Sequence, residues 1–138
     1  MTNTGPLIAL ASIDRLDILR TLFTSVHIPQ AVYDEMVEGG ETRAGLEAYR
    51  QADWIAVEPA VPLDPLLGSV LDQGEAAVIA LARSLGADTV LIDERKARRV
   101  ARDIYGLRVM GSARLLVEAK RHRVLDSVAT ALQAMRAR

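Results

Sequence analysis

The stretch that constrains the fold most is residues 74–93, GEAAVIALARSLGADTVLID. Its first part is almost wholly apolar, has the length of a helix and ends at Gly86, a residue type that commonly terminates helices. Its second part, TVLI, is a short apolar run typical of a buried strand, and it leads directly into Asp93. A helix with so little polar surface packs against a sheet instead of facing water. The stretch therefore predicts a helix and a strand packed together in an α/β fold.

Short apolar runs alternate with helical patterns along the rest of the chain. The runs SVHIP, WIAVEP and LRVM are predicted strands, and VPLDPLLG is expected to be a loop or a single turn. Helices are predicted in TNTGPLIALAS, IDRLDILRTLF, PQAVYDEMVEGG, ETRAGLEAYRQA, ERKARRVARDIYG, SARLLVEAKRHRV and LDSVATALQAMRAR. This alternation predicts a mostly parallel central sheet with helices on both faces. A chain of 138 residues without a linker or repeat is expected to form a single domain, residues 1–138.

The composition excludes several kinds of site. The chain has no cysteine, which excludes disulfides, thiolate metal sites and cysteine nucleophiles. It also lacks the glycine motifs of dinucleotide sites and phosphate-binding loops, and the nucleophile elbow of hydrolases. No apolar run is long enough to span a membrane, and the opening residues lack the basic segment of a signal peptide. A cytoplasmic protein without membrane contact is expected.

The net charge of −1 conceals two oppositely charged parts. Residues 1–94 carry 5 Lys and Arg against 15 Asp and Glu, a net charge of −10. Residues 95–138 carry 12 Lys and Arg against 3 Asp and Glu, a net charge of +9. An acidic part that gathers cations beside a basic part that attracts phosphate is one interpretation. Two solvated faces that pair with each other is the other.

Three acids lie where the ligands of an open parallel sheet would bind, outside the carboxyl ends of the strands. Asp93 ends the strand TVLI and is either a site residue or the N-cap of the next helix. Glu94 is expected to stabilise that helix terminus through its dipole. Glu75 opens the apolar helix three residues after Asp72, so it is either a site residue or half of a capping box.

Glu35 and Asn3 complete the candidate set. At helical spacing, Val32, Tyr33, Met36 and Val37 form an apolar arc, Asp34 and Glu38 face water, and Glu35 lies at the rim of the arc. A carboxylate at the rim can reach a shared crevice, but a plain surface acid is equally compatible with this position. Asn3 lies in a turn-forming stretch before the first predicted helix.

The chain resembles the PIN-domain family, and within it the compact branch of VapC-like toxins whose sequences open with NT-x-PLIALA. The resemblance lies in NTGPLIALASIDRLDIL, IPQAVYDEMV, LDQGEAAVIALARSLGADTVLIDERKARRVA and GLRVMGSARLLVEAKR, in that order over nearly the whole chain. It implies a three-layer fold with helices on both faces of the sheet. It also implies a ribonuclease that depends on Mg²⁺ or Mn²⁺, a role as the toxin of a toxin–antitoxin pair, and RNA, an antitoxin and a second copy of the chain as partners.

The resemblance assigns roles to individual residues. It implies catalytic positions at Asn3, Glu35, Glu75 and Asp93, of which the last three would be metal ligands, and a further polar group at Ser112. The family at large has Asp at the position of Asn3, so one negative charge is missing here. A catalytically weak nucleic-acid-binding or regulatory protein is therefore the alternative. A phospho-acceptor domain would need a lysine after the strand LRVM, where the sequence has Gly111 instead.

The residues that follow these acids suggest the substrate and the assembly. Arg95, Arg98, Arg99 and Arg102 occupy neighbouring helical positions and are predicted to bind the backbone of single-stranded RNA. The last helix has an apolar stripe that would serve either a homodimer or the chain's own core; it comprises Leu125, Val128, Leu132 and Met135.

Overall fold

The computed structural model describes residues 1–39, 47 and 49–137, and it has the mixed α/β architecture that the sequence predicts. Four strands are formed: β1 Val26–Pro29, β2 Ile55–Glu58, β3 Thr89–Leu91 and β4 Arg108–Met110. β1 pairs with β2 from Val26 opposite Ile55, and β3 pairs with β4 from Thr89 opposite Arg108. Both pairs are parallel, as predicted.

Residues 1–3 join the two strand pairs. Thr2 forms a parallel bridge with Leu91, and its N–H donates to the carbonyl of His27 at 3.1 Å. The N–H of Asn3 donates to the carbonyl of Leu91 at 2.9 Å. The order across the described part of the sheet is therefore β2, β1, residues 1–3, β3, β4. Because neighbouring strands are parallel, Asn3 lies at the same edge as the carboxyl ends of β3 and β4.

The helices follow the predicted pattern with a few differences. Their bounds are α1 Thr4–Ser12, α2 Asp17–Leu22, α3 Gln30–Gly39, α4 Pro65–Val70, α5 Gln73–Leu85, α6 Arg95–Arg99, α7 Ser112–Arg121 and α8 Val128–Arg136. The stretch VPLDPLLG contains a helix, α4, because Asp64 caps its N-terminus and proline occupies its first position. α6 continues as a π-helical turn, Val100–Ile104. Most of the helix predicted in ETRAGLEAYRQA lies outside the described residues.

The core forms around β3 and α5. Val90, Leu91 and Ile92 are all at most 3% exposed. Successive residues of a strand point to opposite faces, so both faces of the sheet are covered at this strand. α5 is buried along most of its length and ends at Gly86, whose φ of 64° is the left-handed conformation that glycine adopts easily. The apolar helix and its predicted end are thus confirmed.

Two further predictions concern the surface of the molecule. Among the described residues, no helix is long and apolar enough to cross a membrane. The apolar stripe of the last helix packs against the chain's own core, because Leu125 is buried and Val128, Leu132 and Met135 are partly buried against the same cluster. This stripe therefore gives no support to a homodimer, which stays a prediction.

Candidate active site

The side chain of Asp93 is held by the first residue of α7. Its Oδ1 accepts from the backbone N–H of Ser112 and its Oδ2 accepts from the Ser112 hydroxyl, both at 2.6 Å. The cap of α6 is instead Glu94, whose Oε1 accepts from the N–H of Lys96 at 3.4 Å. The helix-cap interpretation of Asp93 is therefore wrong, and the expected role of Glu94 at the helix terminus is confirmed. Two short bonds to a carboxylate fix its orientation.

A second group of oxygens surrounds Gly74 in the first turn of α5. A Cβ atom built on Gly74 would lie 3.0 Å from Glu35 Oε2, 3.3 Å from Asn3 Oδ1 and 3.7 Å from Asp72 Oδ1. We call these three side-chain oxygens the Gly74 cradle. The cradle thus brings together an oxygen of α3 (Glu35), one of the central strand (Asn3) and one of the α5 cap (Asp72). Because Gly74 has no side chain, the point between these oxygens stays open.

The Asn3 side chain contributes an unusual atom to the Gly74 cradle. Its Oδ1 is buried and has no hydrogen-bond partner among the described residues. A buried carbonyl oxygen without a partner costs about 1–3 kcal/mol, so it is normally satisfied by protein, water or a ligand. Because two carboxylates lie next to this oxygen, a cation is the partner that it would bind most readily.

Asp72 and Glu75 form the capping box that their spacing predicts. Asp72 Oδ1 accepts from the N–H of Glu75 at 2.8 Å, and the Asp72 backbone in turn hydrogen-bonds the Glu75 carboxyl. Glu75 is nevertheless only 7% exposed. Burial, followed by the negative charge of Asp72 and with a smaller effect of Glu94, raises the pKa of Glu75 from 4.5 to about 7. Glu75 therefore takes part in the helix cap and is a buried carboxyl with a raised pKa.

The two groups of side chains are linked through the start of α1. A Cβ atom on Gly5 would lie 3.2 Å from Asp93 Oδ2, so the Asp93 carboxylate lies over the first turn of the helix that Asn3 caps. Asn3 in turn is bonded to Leu91, two residues before Asp93. The site residues predicted from the sequence therefore occupy one edge of the sheet, with Asn3 between Asp93 and Glu35.

An acidic cleft of about 420 Å³ opens beside the Gly74 cradle. It is lined by Ala31, Asp34, Glu35, Glu38, Asp72, Gln73 and Gly74. Asp34 and Glu38 are exposed to solvent, as predicted, and both also line this cleft. The sequence placed Tyr33 and Val37 in a buried arc, but they are 37% and 38% exposed because only Val32 and Met36 of that arc reach the core.

A larger cavity of about 650 Å³ lies elsewhere, at the amino ends of β1, β3 and β4. Its lining includes Val26, Thr89 and Arg108, the first residues of those strands, and it includes none of the four predicted catalytic residues. Size alone does not identify the site, since ligands of parallel sheets bind at the carboxyl ends of the strands.

The basic segment begins directly after the acids. Arg95, Arg99 and Arg102 are exposed, as expected of residues that contact a phosphate backbone. Arg98 is only half-exposed, and its Nη1 donates to the backbone carbonyl of Asp93 at 2.8 Å. Ala97 and Val100 face the core, as their spacing predicts. The four arginines therefore do not form one equivalent set.

The donor set fits a hard divalent cation in type. Carboxylate and amide oxygens are the ligands that Mg²⁺ and Mn²⁺ prefer. The Asn3 Oδ1 in the Gly74 cradle is such an oxygen, and it has no hydrogen-bond partner among the described residues. Among the described residues, however, no three His, Cys, Asp or Glu side chains come together closely enough to hold a metal ion by themselves. A bound cation would therefore need the neutral oxygen of Asn3 or water to complete its shell.

Sequence reasoning missed the position of Asp72 in this site. The capping-box spacing identified Asp72 only as a partner of Glu75. The capping geometry itself places Asp72 beside Gly74, whereas the approach of Glu35 and Asn3 to the same point depends on tertiary contacts that have no local sequence signal. Ser112 was named only through the family resemblance, whereas its two bonds to Asp93 give it a defined task.

Comparison with known proteins gives one match. A family model described as a PIN domain matches residues 1–138. No curated protein and no solved structure matches the chain.

Proposed function

Because this chain belongs to the PIN-domain family, whose members are typically nucleases that use divalent metal ions, we propose that it hydrolyses phosphodiester bonds of RNA with Mg²⁺ or Mn²⁺. The observation that carries the proposal is the Gly74 cradle, in which the buried Asn3 oxygen has no hydrogen-bond partner among the described residues and two carboxylates lie beside it. An acidic edge alone would repel a phosphate, so such a site needs a cation to bind an anionic substrate.

Glu35, Glu75 and Asp93 are the proposed acids of the metal site, with Asn3 and Asp72 as further oxygen donors. Because no three acidic side chains among the described residues lie close enough to hold a cation by themselves, some of them would reach it through bound water. When bound, the cation would lower the pKa of a water molecule and neutralise charge on the phosphate. Ser112 holds both oxygens of Asp93, so this carboxylate is oriented before any ligand arrives. In the metal-free chain the pKa of Glu75 is raised to about 7 by burial and by the charge of Asp72, and a bound cation would favour the charged form of this carboxyl.

The basic segment supports a nucleic acid as the substrate. Residues 95–138 carry 12 Lys and Arg against 3 Asp and Glu, and the exposed Arg95, Arg99 and Arg102 follow immediately after Asp93. Arginines of this kind bind phosphates and make the affinity depend on salt. Aromatic residues make up only 4% of the chain, which favours contact with the RNA backbone over stacking on bases.

A second candidate function is a catalytically weak nucleic-acid-binding or regulatory protein. Asn3 favours it, because an amide oxygen supplies no negative charge where the wider family has a carboxylate. The lack of a three-acid group among the described residues favours it as well. The two candidates make opposite predictions about cleavage but the same prediction about RNA binding.

The proposed biological role is that of a toxin in a toxin–antitoxin pair, acting in the cytoplasm as a homodimer. The support is the resemblance to compact toxins of the PIN-domain family. Induced expression should stop growth, and co-expression of a small protein encoded next to this chain should restore it. Normal growth on induction of active, folded protein would contradict the toxin role.

The nuclease proposal is tested with labelled single-stranded RNA, with Mn²⁺ or Mg²⁺ and with excess chelator. Cleavage is expected only with the metal. Asp93→Asn should reduce it by at least about 10–100-fold, the scale of disturbed metal shells. The variant keeps the side-chain shape, and the Ser112 hydroxyl can rotate to accept from the new amide. RNA binding without cleavage by the parent protein would instead support the second candidate.

A further inference from the structure

Arg98 differs from the other arginines of the basic segment in what it touches. Its Nη1 donates to the main-chain carbonyl of Asp93 at 2.8 Å, within the candidate site. Arg95, Arg99 and Arg102 are exposed, and Arg102 pairs with the exposed Asp103 at 3.2 Å, away from the site acids. A guanidinium that donates to a carbonyl has fewer N–H groups left for a phosphate. It is also half-buried, which limits the approach of an RNA backbone to it.

The guanidinium of Arg98 lies against the junction between β4 and α7. A Cβ atom on Gly111 would be 2.8 Å from Arg98 Nη1 and 3.2 Å from Asp93 Oδ1. Real Cβ atoms do not approach other atoms as closely as 2.8 Å, so any other residue at position 111 would require the Arg98 guanidinium, the end of a flexible side chain, to shift. Arg98, Gly111 and the Asp93 carboxylate therefore meet at a single point.

Asp93 is consequently held from two sides. Arg98 fixes its main-chain carbonyl, and Ser112, the residue after Gly111, fixes its carboxylate oxygens. A carboxylate keeps a defined direction only when the backbone that carries it is also fixed. Misplacing a reacting group by about 1 Å can reduce a rate by about 10²-fold.

We propose that Arg98 is a positioning residue, which orients Asp93 for catalysis and does not bind RNA phosphate. The proposal rests on the proposed nuclease function and divides the basic segment into two tasks. Arg95, Arg99 and Arg102 attract the RNA. Arg98, together with Gly111, orients the Asp93 carboxylate.

The test compares Arg98→Ala with Arg99→Ala, which removes the same charge from the adjacent position. RNA binding is measured in chelator at several salt concentrations, so that no catalysis is needed. Arg99→Ala should weaken binding and reduce the salt slope by about 0.7, the contribution of one phosphate contact to a single strand. Arg98→Ala should leave the salt slope unchanged. With metal, Arg98→Ala should lower kcat by about 10–100-fold with little change in KM, whereas Arg99→Ala should mainly raise KM.

Gly111→Ala is the second variant, because its methyl group must displace the Arg98 guanidinium without removing it. It should reproduce the loss of kcat at an unchanged salt slope. Gly68→Ala is its control, since a Cβ atom at Gly68 would meet nothing within 4 Å. Hydrogen exchange of the Ser112 amide, followed by NMR, should be faster in Arg98→Ala and Gly111→Ala than in the parent protein. It should be unchanged in Arg99→Ala and Gly68→Ala.

Separate outcomes overturn the two proposals. A parent protein that binds RNA but never cleaves it ends the nuclease proposal, while salt slope and amide exchange still decide the role of Arg98. The positioning role is overturned if Arg98→Ala lowers the salt slope as much as Arg99→Ala does. It is also overturned if hydrogen exchange of the Ser112 amide stays unchanged in Arg98→Ala. If Arg98→Ala does not fold, the same result in Gly111→Ala overturns it.

Discussion

Gly74→Ala should separate the function of this chain from its stability. Alanine in a helix is more favourable than glycine by about 0.5–1 kcal/mol, and the Gly74 backbone does not need the left-handed conformation. The new methyl group would lie 3.0 Å from Glu35 Oε2 and 3.3 Å from Asn3 Oδ1. The Glu35 carboxylate needs to shift by only a few tenths of an ångström to admit the methyl group, so the free energy of unfolding should change by less than about 1 kcal/mol.

The effect on metal binding should be much larger, because the methyl group occupies the point on which the cradle oxygens converge. A disturbed metal shell loses about 10–100-fold in affinity. At a Mn²⁺ concentration of about 100 Kd for the parent protein, binding stabilises the fold by about 2.7 kcal/mol. The same concentration should stabilise Gly74→Ala by only about 0.4–1.4 kcal/mol.

Thermal unfolding with and without Mn²⁺ measures both quantities in one experiment. Gly68→Ala is the matched control, because it makes the same change in α4 where a Cβ atom would meet nothing within 4 Å. The control should keep the full Mn²⁺-induced rise in Tm and the parent rate of RNA cleavage. If Gly74→Ala binds Mn²⁺ and cleaves RNA as the parent protein does, the Gly74 cradle is not the metal site.

Two further predictions follow from the Ser112 and Glu75 side chains, and a third follows from the family resemblance. Ser112→Ala removes the hydroxyl bond to Asp93 Oδ2 but keeps the backbone bond. Urea unfolding should show a loss of about 1.5–3 kcal/mol in the free energy of unfolding, and RNA cleavage should be slower. Unchanged stability would refute the strength assigned to this bond. Burial raises the pKa of Glu75 from 4.5 to about 7, so the metal-free folded chain binds the Glu75 proton more tightly than the unfolded chain does. The contribution of Glu75 to the free energy of unfolding should therefore fall as the pH rises between those two values. Glu75→Gln should remove that slope in urea titrations at pH 5–8 (about the range over which the shift acts), and an unaltered slope would assign it to other groups. Sedimentation at tens of micromolar, roughly the concentration at which a stable interface stays formed, should give a homodimer, whereas a monomer would contradict pairing.

Local patterns predicted most of the secondary structure for physical reasons. The apolar helix α5, its cap and its end at Gly86 follow from hydrophobic periodicity and backbone preference, which act within a few residues. The short strands β1 and β3 were visible as β-branched runs for the same reason. The helix α4 was missed because a single turn and a capped two-turn helix have almost the same sequence signal.

The arrangement of the site depends on contacts between distant parts of the chain. The sequence allowed Asp93 to be a helix cap, and only the bonds to Ser112, 19 residues away, decide against it. Arg98 looked equivalent to its neighbours because helical spacing says nothing about Gly111 across the site. The cradle likewise needs α3, α5 and residues 1–3 to meet, which no local pattern specifies. The residue types of the site were predictable, and their individual tasks were not.

Mn²⁺ affinity should differ between the parent protein and Asn3→Asp, as determined by calorimetry in parallel with RNA cleavage. The new carboxylate would join Glu35 and Asp72 around Gly74. Without metal its charge is repelled by both, so the metal-free variant should be less stable than the parent protein. With metal it supplies a charged ligand in place of a neutral one. Asn3→Asp should bind Mn²⁺ at least about tenfold more tightly than the parent protein, a difference of about 1.4 kcal/mol in binding free energy. It should also cleave RNA faster. An unchanged Mn²⁺ affinity, with no cleavage by either protein, would contradict the claim that this edge of the sheet is the metal site of a nuclease.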